Sequence, residues 1–155
     1  MFEKLLVCLD GSELAEQILP YVREEALHFG SKVVLLRVVA APSTAPIAAA
    51  GGAGYTAETV DRQVHDEVRE AKAYLQRLAQ PLREKGLDVE CVTVDGWPVG
   101  DAIVSYAESN KVSLIAIATH GRSGLGRLAF GSVADSVLRK SGLPVLLIRP
   151  RKASA

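Results

Sequence analysis

The sequence predicts one α/β domain, a five-stranded parallel sheet in the order 3-2-1-4-5 flanked by four helices. Five short apolar runs, at residues 5–9, 33–39, 87–94, 112–118 and 145–148, alternate with segments of helical periodicity. Alternation of this kind implies right-handed crossovers and a mostly parallel sheet. The runs also differ in composition, and those differences assign each strand a place.

Runs one and four are apolar without alternation, as expected of strands covered on both faces. Run three sets Asp88 and Glu90 between Leu87, Val89 and Cys91, which suits a half-exposed edge guarded by charge. The first helix follows Ser12, an expected N-cap, and places Leu14, Ala15, Ile18, Leu19, Val22 and Ala26 on one face. Pro20 should kink it, because the ring cannot donate to the preceding turn. The longest helix carries Val60, Val64, Val68, Ala71, Leu75, Leu78 and Leu82 on one side. Its acids come early (Glu58, Asp61) and its bases late (Arg83, Lys85), in accord with the helix dipole, before Gly86 stops it. A third helix covers about residues 100–110, and a fourth starts near Ser132. Residues 41–56 (APSTAPIAAAGGAGYT) fit no element and read as a mobile connection, a candidate lid at the same rim.

At 155 residues the chain suits a single domain spanning residues 1–155. Lys+Arg and Asp+Glu both number 18, and this balance argues against a general binder of nucleic acid or of membrane surfaces. Cys8 and Cys91 stand far apart and outside any C-x-x-C pair. Neither a disulfide framework nor a zinc site is expected, and both read as small apolar strand residues in a reducing compartment. The run at 5–9 is too short for a secretory signal and meets Asp10 at once, and no stretch nears the roughly 18 apolar residues of a span. The expected localisation is cytoplasmic.

In the order 3-2-1-4-5 the topological switch lies between strands one and four, and ligands bind at the carboxyl ends of strands there. Asp10 and the glycine-rich turn 121–132 follow those two strands. Residues 119–132 read THGRSGLGRLAFGS, with Gly121, Gly124, Gly126 and Gly131. Successive N–H groups in such a turn form an anion-binding concavity, and a helix starting at Ser132 adds its positive end. No acid occurs between Ser109 and Ala134, whereas His120, Arg122 and Arg127 do. The turn is neither a Walker loop nor a G-x-G-x-x-G fingerprint. Ser132 and Asp135 have the spacing of a capping box, a role compatible with a hydroxyl that also faces a ligand. Asp10 either caps the following helix or contacts ribose, base or a cation; bare against a triphosphate it would be repelled. His120 has no partner set for nucleophilic catalysis, so no catalytic residue and no metal ligand is assigned.

These residues resemble the universal stress protein family across essentially the whole chain. The resemblance rests on Asp10-Gly11-Ser12 after the first strand, Gly96-Trp97-Pro98 before the third helix, and THGRSGLGRLAFGSVADSVLRKSGLPVLLI. It implies an adenine nucleotide alpha-hydrolase-like, Rossmann-like fold. The family's nucleotide-binding branch carries G-x2-G-x9-G-Ser/Thr, which lands on Ala118, Gly121, Gly131 and Ser132, so alanine replaces the first glycine. That methyl group narrows the pocket without removing the phosphate nest. The resemblance implies ATP as ligand, with Asp10 and Val38 as further contacts; Mg²⁺, which a carboxylate such as Asp10 could help hold beside phosphates, is the candidate companion ion. The candidate cofactor-binding set is therefore Asp10, Val38, Ala118, His120, Gly121, Arg122, Gly124, Gly131, Ser132 and Val133. Family members are commonly dimers. The apolar edge strand Val145, Leu146, Leu147 and Ile148 predicts a homodimer through that strand, with residues 151–155 a frayed tail. An ATP-binding stress-response module serving an unidentified protein partner leads the functional readings. A slow ATPase, and a dimerisation module that binds no nucleotide, are the alternatives.

Overall fold

The computed structural model describes residues 1–39, 57–119 and 131–151. The strands are β1 (Lys4–Cys8), β2 (Lys32–Val39), β3 (Val89–Asp95), β4 (Leu114–Ala118) and β5 (Val145–Ile148). They form one parallel sheet in the order β3-β2-β1-β4-β5, as the strand compositions imply. The helices are α1 (Glu13–Glu16), α2 (Leu19–Phe29), α3 (Ala57–Glu84), α4 (Val99–Ser109) and α5 (Ser132–Lys140). The first of the four helical crossovers comes as two pieces, α1 and α2. Pro20 lies in the first turn of α2, where its missing N–H costs no hydrogen bond.

Side-chain alternation along the strands divides the interior in two. Leu5, Val7, Val33 and Leu35 pack against α1, α2 and α3, with Ile18, Val22 and Leu75 fully enclosed. Leu6, Cys8, Val34 and Leu36 face α4 and α5, where Ile103, Ala107, Ala134 and Val137 complete the second core. β1 and β4 are buried on both faces, in accord with their unbroken apolar sequence. At the β3 edge Glu90 is exposed and pairs with Lys32 at 2.9 Å.

α3 runs for 28 residues, about 42 Å at the usual rise per residue. Ala71, Leu75, Leu78, Ala79 and Leu82 are buried along it, while Val64 and Val68 are half-buried. α4 and α5 approach closely at Gly100, where a Cβ would stand 2.6 Å from Ser136 Cβ. Asp101 ties the pair together: Lys140 donates to it at 2.6 Å and the Ser136 hydroxyl at 3.3 Å. The Lys140 hydrogen bond is the main reason the Asp101 carboxyl titrates below its usual range.

Arg151, placed in the expected frayed tail, is instead held by Gln17, which accepts from its N–H at 2.9 Å and donates to its carbonyl at 2.8 Å. Residues 152–155 and the expected mobile connection at 41–56 lie outside the described residues.

Candidate functional site

The carboxyl ends of β1, β2 and β4 open into a cavity of about 570 Å³ at the expected switch point. Its floor comes from both layers of the fold. Leu9, Ala15 and Arg37 belong to the α1–α3 side; Cys8, Leu36, Val38, Ile103, Ile117 and Ala134 belong to the α4–α5 side. Main-chain bonds carry the pairing one residue past two of the strands: Leu9 N–H donates to Leu36 at 2.9 Å, and Thr119 N–H to Ile148 at 2.9 Å. These bonds fix the directions in which the chain leaves the sheet on either side of the switch.

Asp10 sits at this rim and is held by its own turn. Its carboxylate accepts from the Ser12 N–H at 2.9 Å and from the Ser12 hydroxyl at 2.7 Å. The Ser12 hydroxyl in turn accepts from Ala15 N–H at 3.2 Å, capping α1 as its sequence position predicts. Asp10 thus does not cap α1 itself; it braces Ser12, which does, and it also lines the cavity.

The start of α5 corrects one expectation. Ser132 is not the N-cap. Gly131 occupies that position, with φ 83° and ψ 150°, and among the described residues no side chain caps the helix. The first intrahelical bond runs from Asp135 N–H to the Gly131 carbonyl at 2.9 Å. The physical reason is the backbone of Gly131, in a region only glycine adopts readily, which turns the chain into the helix one residue early. Asp135 pairs with Arg139 rather than closing a capping box. Ser132 becomes the first helical residue, exposed, with the cavity before it. The N–H groups of Ser132, Val133 and Ala134 then have no intrahelical acceptor and form the positive end of α5.

Six of the ten sequence-derived candidates line the cavity: Asp10, Val38, Ala118, Gly131, Ser132 and Val133. His120, Gly121, Arg122 and Gly124 lie outside the described residues. The sequence reading missed Arg37 and Cys8. Arg37 breaks an otherwise apolar strand (KVVLLRVV) near its carboxyl end, a signal that could have found it. Its guanidinium carbon lies 5.4 Å from the centre of the Tyr74 ring, as does that of Arg77, which pairs with Glu16 at 3.3 Å. The Tyr74 hydroxyl is buried without a hydrogen bond among the described residues. Burial first, then the nearby Glu16 carboxylate, pushes its titration upward. Burial alone pushes the Cys8 thiol up to about 12, so it lines the cavity as an apolar group, not a nucleophile.

The sequence model of the universal stress protein family matches residues 1–149. The chain belongs to the universal stress protein family. Universal stress protein YxiE of Bacillus subtilis is 29% identical over 150 residues, covering 96% of this chain and 100% of its own. The solved structure of MJ0577, a universal stress protein of Methanocaldococcus jannaschii, superposes with a TM-score of 0.78 at 30% identity, covering 99% of both chains. A universal stress protein from Archaeoglobus fulgidus, solved in complex with dAMP, shares the fold at a TM-score of 0.64 and 24% identity, covering 96% of this chain and 98% of that one. Among the described residues no helix is long and apolar enough to cross a membrane.

Proposed function

We propose that this universal stress protein is a regulatory module that binds an adenine nucleotide, with ATP as its working ligand. The observation that carries the reading is the cavity at the switch between β1 and β4, which has the positive end of α5 at one side. Helix N-termini of this kind favour phosphate through unpaired N–H groups and the helix dipole. Gly131, Ser132 and Val133 take the phosphates in this reading, with Ala118 beneath them. Asp10 and Val38 take the nucleoside, and Asp10 is the one carboxylate lining the cavity among the described residues, hence the place for Mg²⁺ beside the phosphates. The dAMP complex of the Archaeoglobus fulgidus relative supports the adenine class.

The test is to denature the purified protein and identify what it releases, then titrate the emptied protein with ATP, with and without Mg²⁺, by calorimetry. Released adenine nucleotide and saturable ATP binding are expected. An empty protein that neither binds nor is thermally stabilised by millimolar ATP-Mg²⁺ refutes the reading.

The same module pairs as a homodimer through β5 in our reading. β5 hydrogen-bonds to β4 on one side, and all four of its residues, Val145 to Ile148, remain half-buried. Its faces therefore retain apolar surface that one copy leaves uncovered. Light scattering at micromolar concentration should give twice the 16.5 kDa chain mass, and a monomer there refutes the pairing.

A further inference from the structure

The cavity has a second cationic feature that the phosphate site does not use. Arg37 leaves the carboxyl end of β2 on the α3 face of the sheet, two strands from β4 and about 10 Å across it. Its guanidinium lies between the Tyr74 ring and Gly11. The ring centre is 5.4 Å from the guanidinium carbon. At Gly11 an added Cβ would stand 3.2 Å from that carbon and 3.3 Å from each terminal nitrogen. Gly11 has φ 90°, so a side chain is disfavoured there on backbone grounds as well. Arg37 is half-buried and lines the cavity, yet among the described residues it makes neither an ion pair nor a hydrogen bond. Its neighbour Arg77, on the same ring, has the Glu16 carboxylate.

A guanidinium set over a ring keeps its planar set of N–H donors and has no acceptor to offer. Contact with Tyr74 and the close approach of Gly11 restrict the rotational freedom of the side chain, so a contact made here retains more of its strength. The cavity thus has an anion pole at the start of α5 and, at the end of β2, a donor group at Arg37. Phosphates fill the first. The second calls for the neutral, acceptor-bearing half of the same molecule.

We propose that Arg37 is a ligand-contacting residue that donates hydrogen bonds to the nucleoside half of the bound nucleotide, through an acceptor on the base edge or the ribose. The assignment rests on the nucleotide reading above and adds the residue that selects the end of the ligand opposite the phosphates.

Calorimetric titration of the full chain with ATP, adenosine and inorganic tripolyphosphate tests it, on the parent and on Arg37→Met. Methionine keeps an apolar stem on Tyr74 and removes every donor. ATP and adenosine should both weaken by roughly 10- to 100-fold, the size of a hydrogen bond from a charged donor, and tripolyphosphate should be unchanged. 2′-Deoxy-ATP locates the acceptor: it loses as much as ATP if the base edge is contacted, and is indifferent to the substitution if the ribose 2′-hydroxyl is. Arg37→Lys, which keeps stem and charge but loses the planar donors, should give the same pattern at reduced size and serves if Arg37→Met does not fold. Unchanged adenosine binding in a folded variant, or a tripolyphosphate loss equal to that for ATP, overturns the role of Arg37 and leaves nucleotide binding standing. A parent protein that binds none of the ligands overturns both.

Discussion

Replacing Gly100 with alanine tests how the α4–α5 contact sets the position of the cavity's helix end. The new Cβ would stand 2.6 Å from both Cβ and Oγ of Ser136, and 3.5 Å from the Val133 carbonyl. Ordinary carbon contacts lie at about 3.5–4.0 Å, so α5 must move off α4 by roughly 1 Å. Overpacking of that kind costs about 1–3 kcal/mol, while alanine gains up to about 1 kcal/mol over glycine in helix propensity. The net loss is on the order of 1 kcal/mol, a fall in Tm of roughly 2–4 °C for a chain of this length. Ser136→Gly removes both clashing atoms at once. Thermal melts of the parent, the two single variants and the double variant form a complete cycle, and the double should recover the loss that Gly100→Ala causes alone. Because Ser132 and Val133 begin the displaced helix, ATP affinity should fall with Tm in Gly100→Ala and return in the double. If Gly100→Ala is as stable as the parent, or Ser136→Gly rescues nothing, the close contact does not position α5.

Three further outcomes are expected. Gly131→Val should destabilise the fold by about 1–3 kcal/mol and abolish ATP binding, because φ 83° with ψ 150° strains any branched residue; a folded variant that binds normally counts against the phosphate site. Ser12→Ala removes the α1 cap and the Asp10 tether together, and should cost about 1 kcal/mol in urea unfolding; an unchanged midpoint would show the cap to be idle. The Cys8 thiol rises from 9.0 to about 12 on folding, so the folded state holds its proton more tightly than the unfolded one. The stabilisation is fully present below about pH 9 and is lost as pH climbs toward about 12, by up to about 4 kcal/mol. Cys8→Ala should therefore flatten the alkaline fall in urea stability, leaving a remainder of the same sign from Tyr74; an identical slope refutes the burial argument.

The strand order was legible because composition reports burial directly. Asp88 and Glu90 could stand only at an edge, and the unbroken apolar runs of β1 and β4 only where helices cover both faces. Asp10 was legible for the same reason, as a lone acid where a buried strand ends at the switch. Ser132 was misread as a cap because the Ser-x-x-Asp spacing records a pattern and not the φ of the preceding residue, and Gly131 decides which residue turns the chain. Arg37 was passed over because a charged residue late in a strand reads as solvated. Its significance comes from Tyr74 and Gly11, 37 residues later and 26 earlier in the chain, which only the folded sheet brings beside it.

The two hydrophobic cores lie on opposite faces of the sheet, and side chains from both stand around the cavity. A molecule seated there touches Ala15 on one layer and Ala134 on the other. Opening either layer then requires releasing it, so binding raises the free energy of both openings by the same increment. Occupancy by the proposed ligand would therefore couple the opening of one layer to that of the other, with little change in shape.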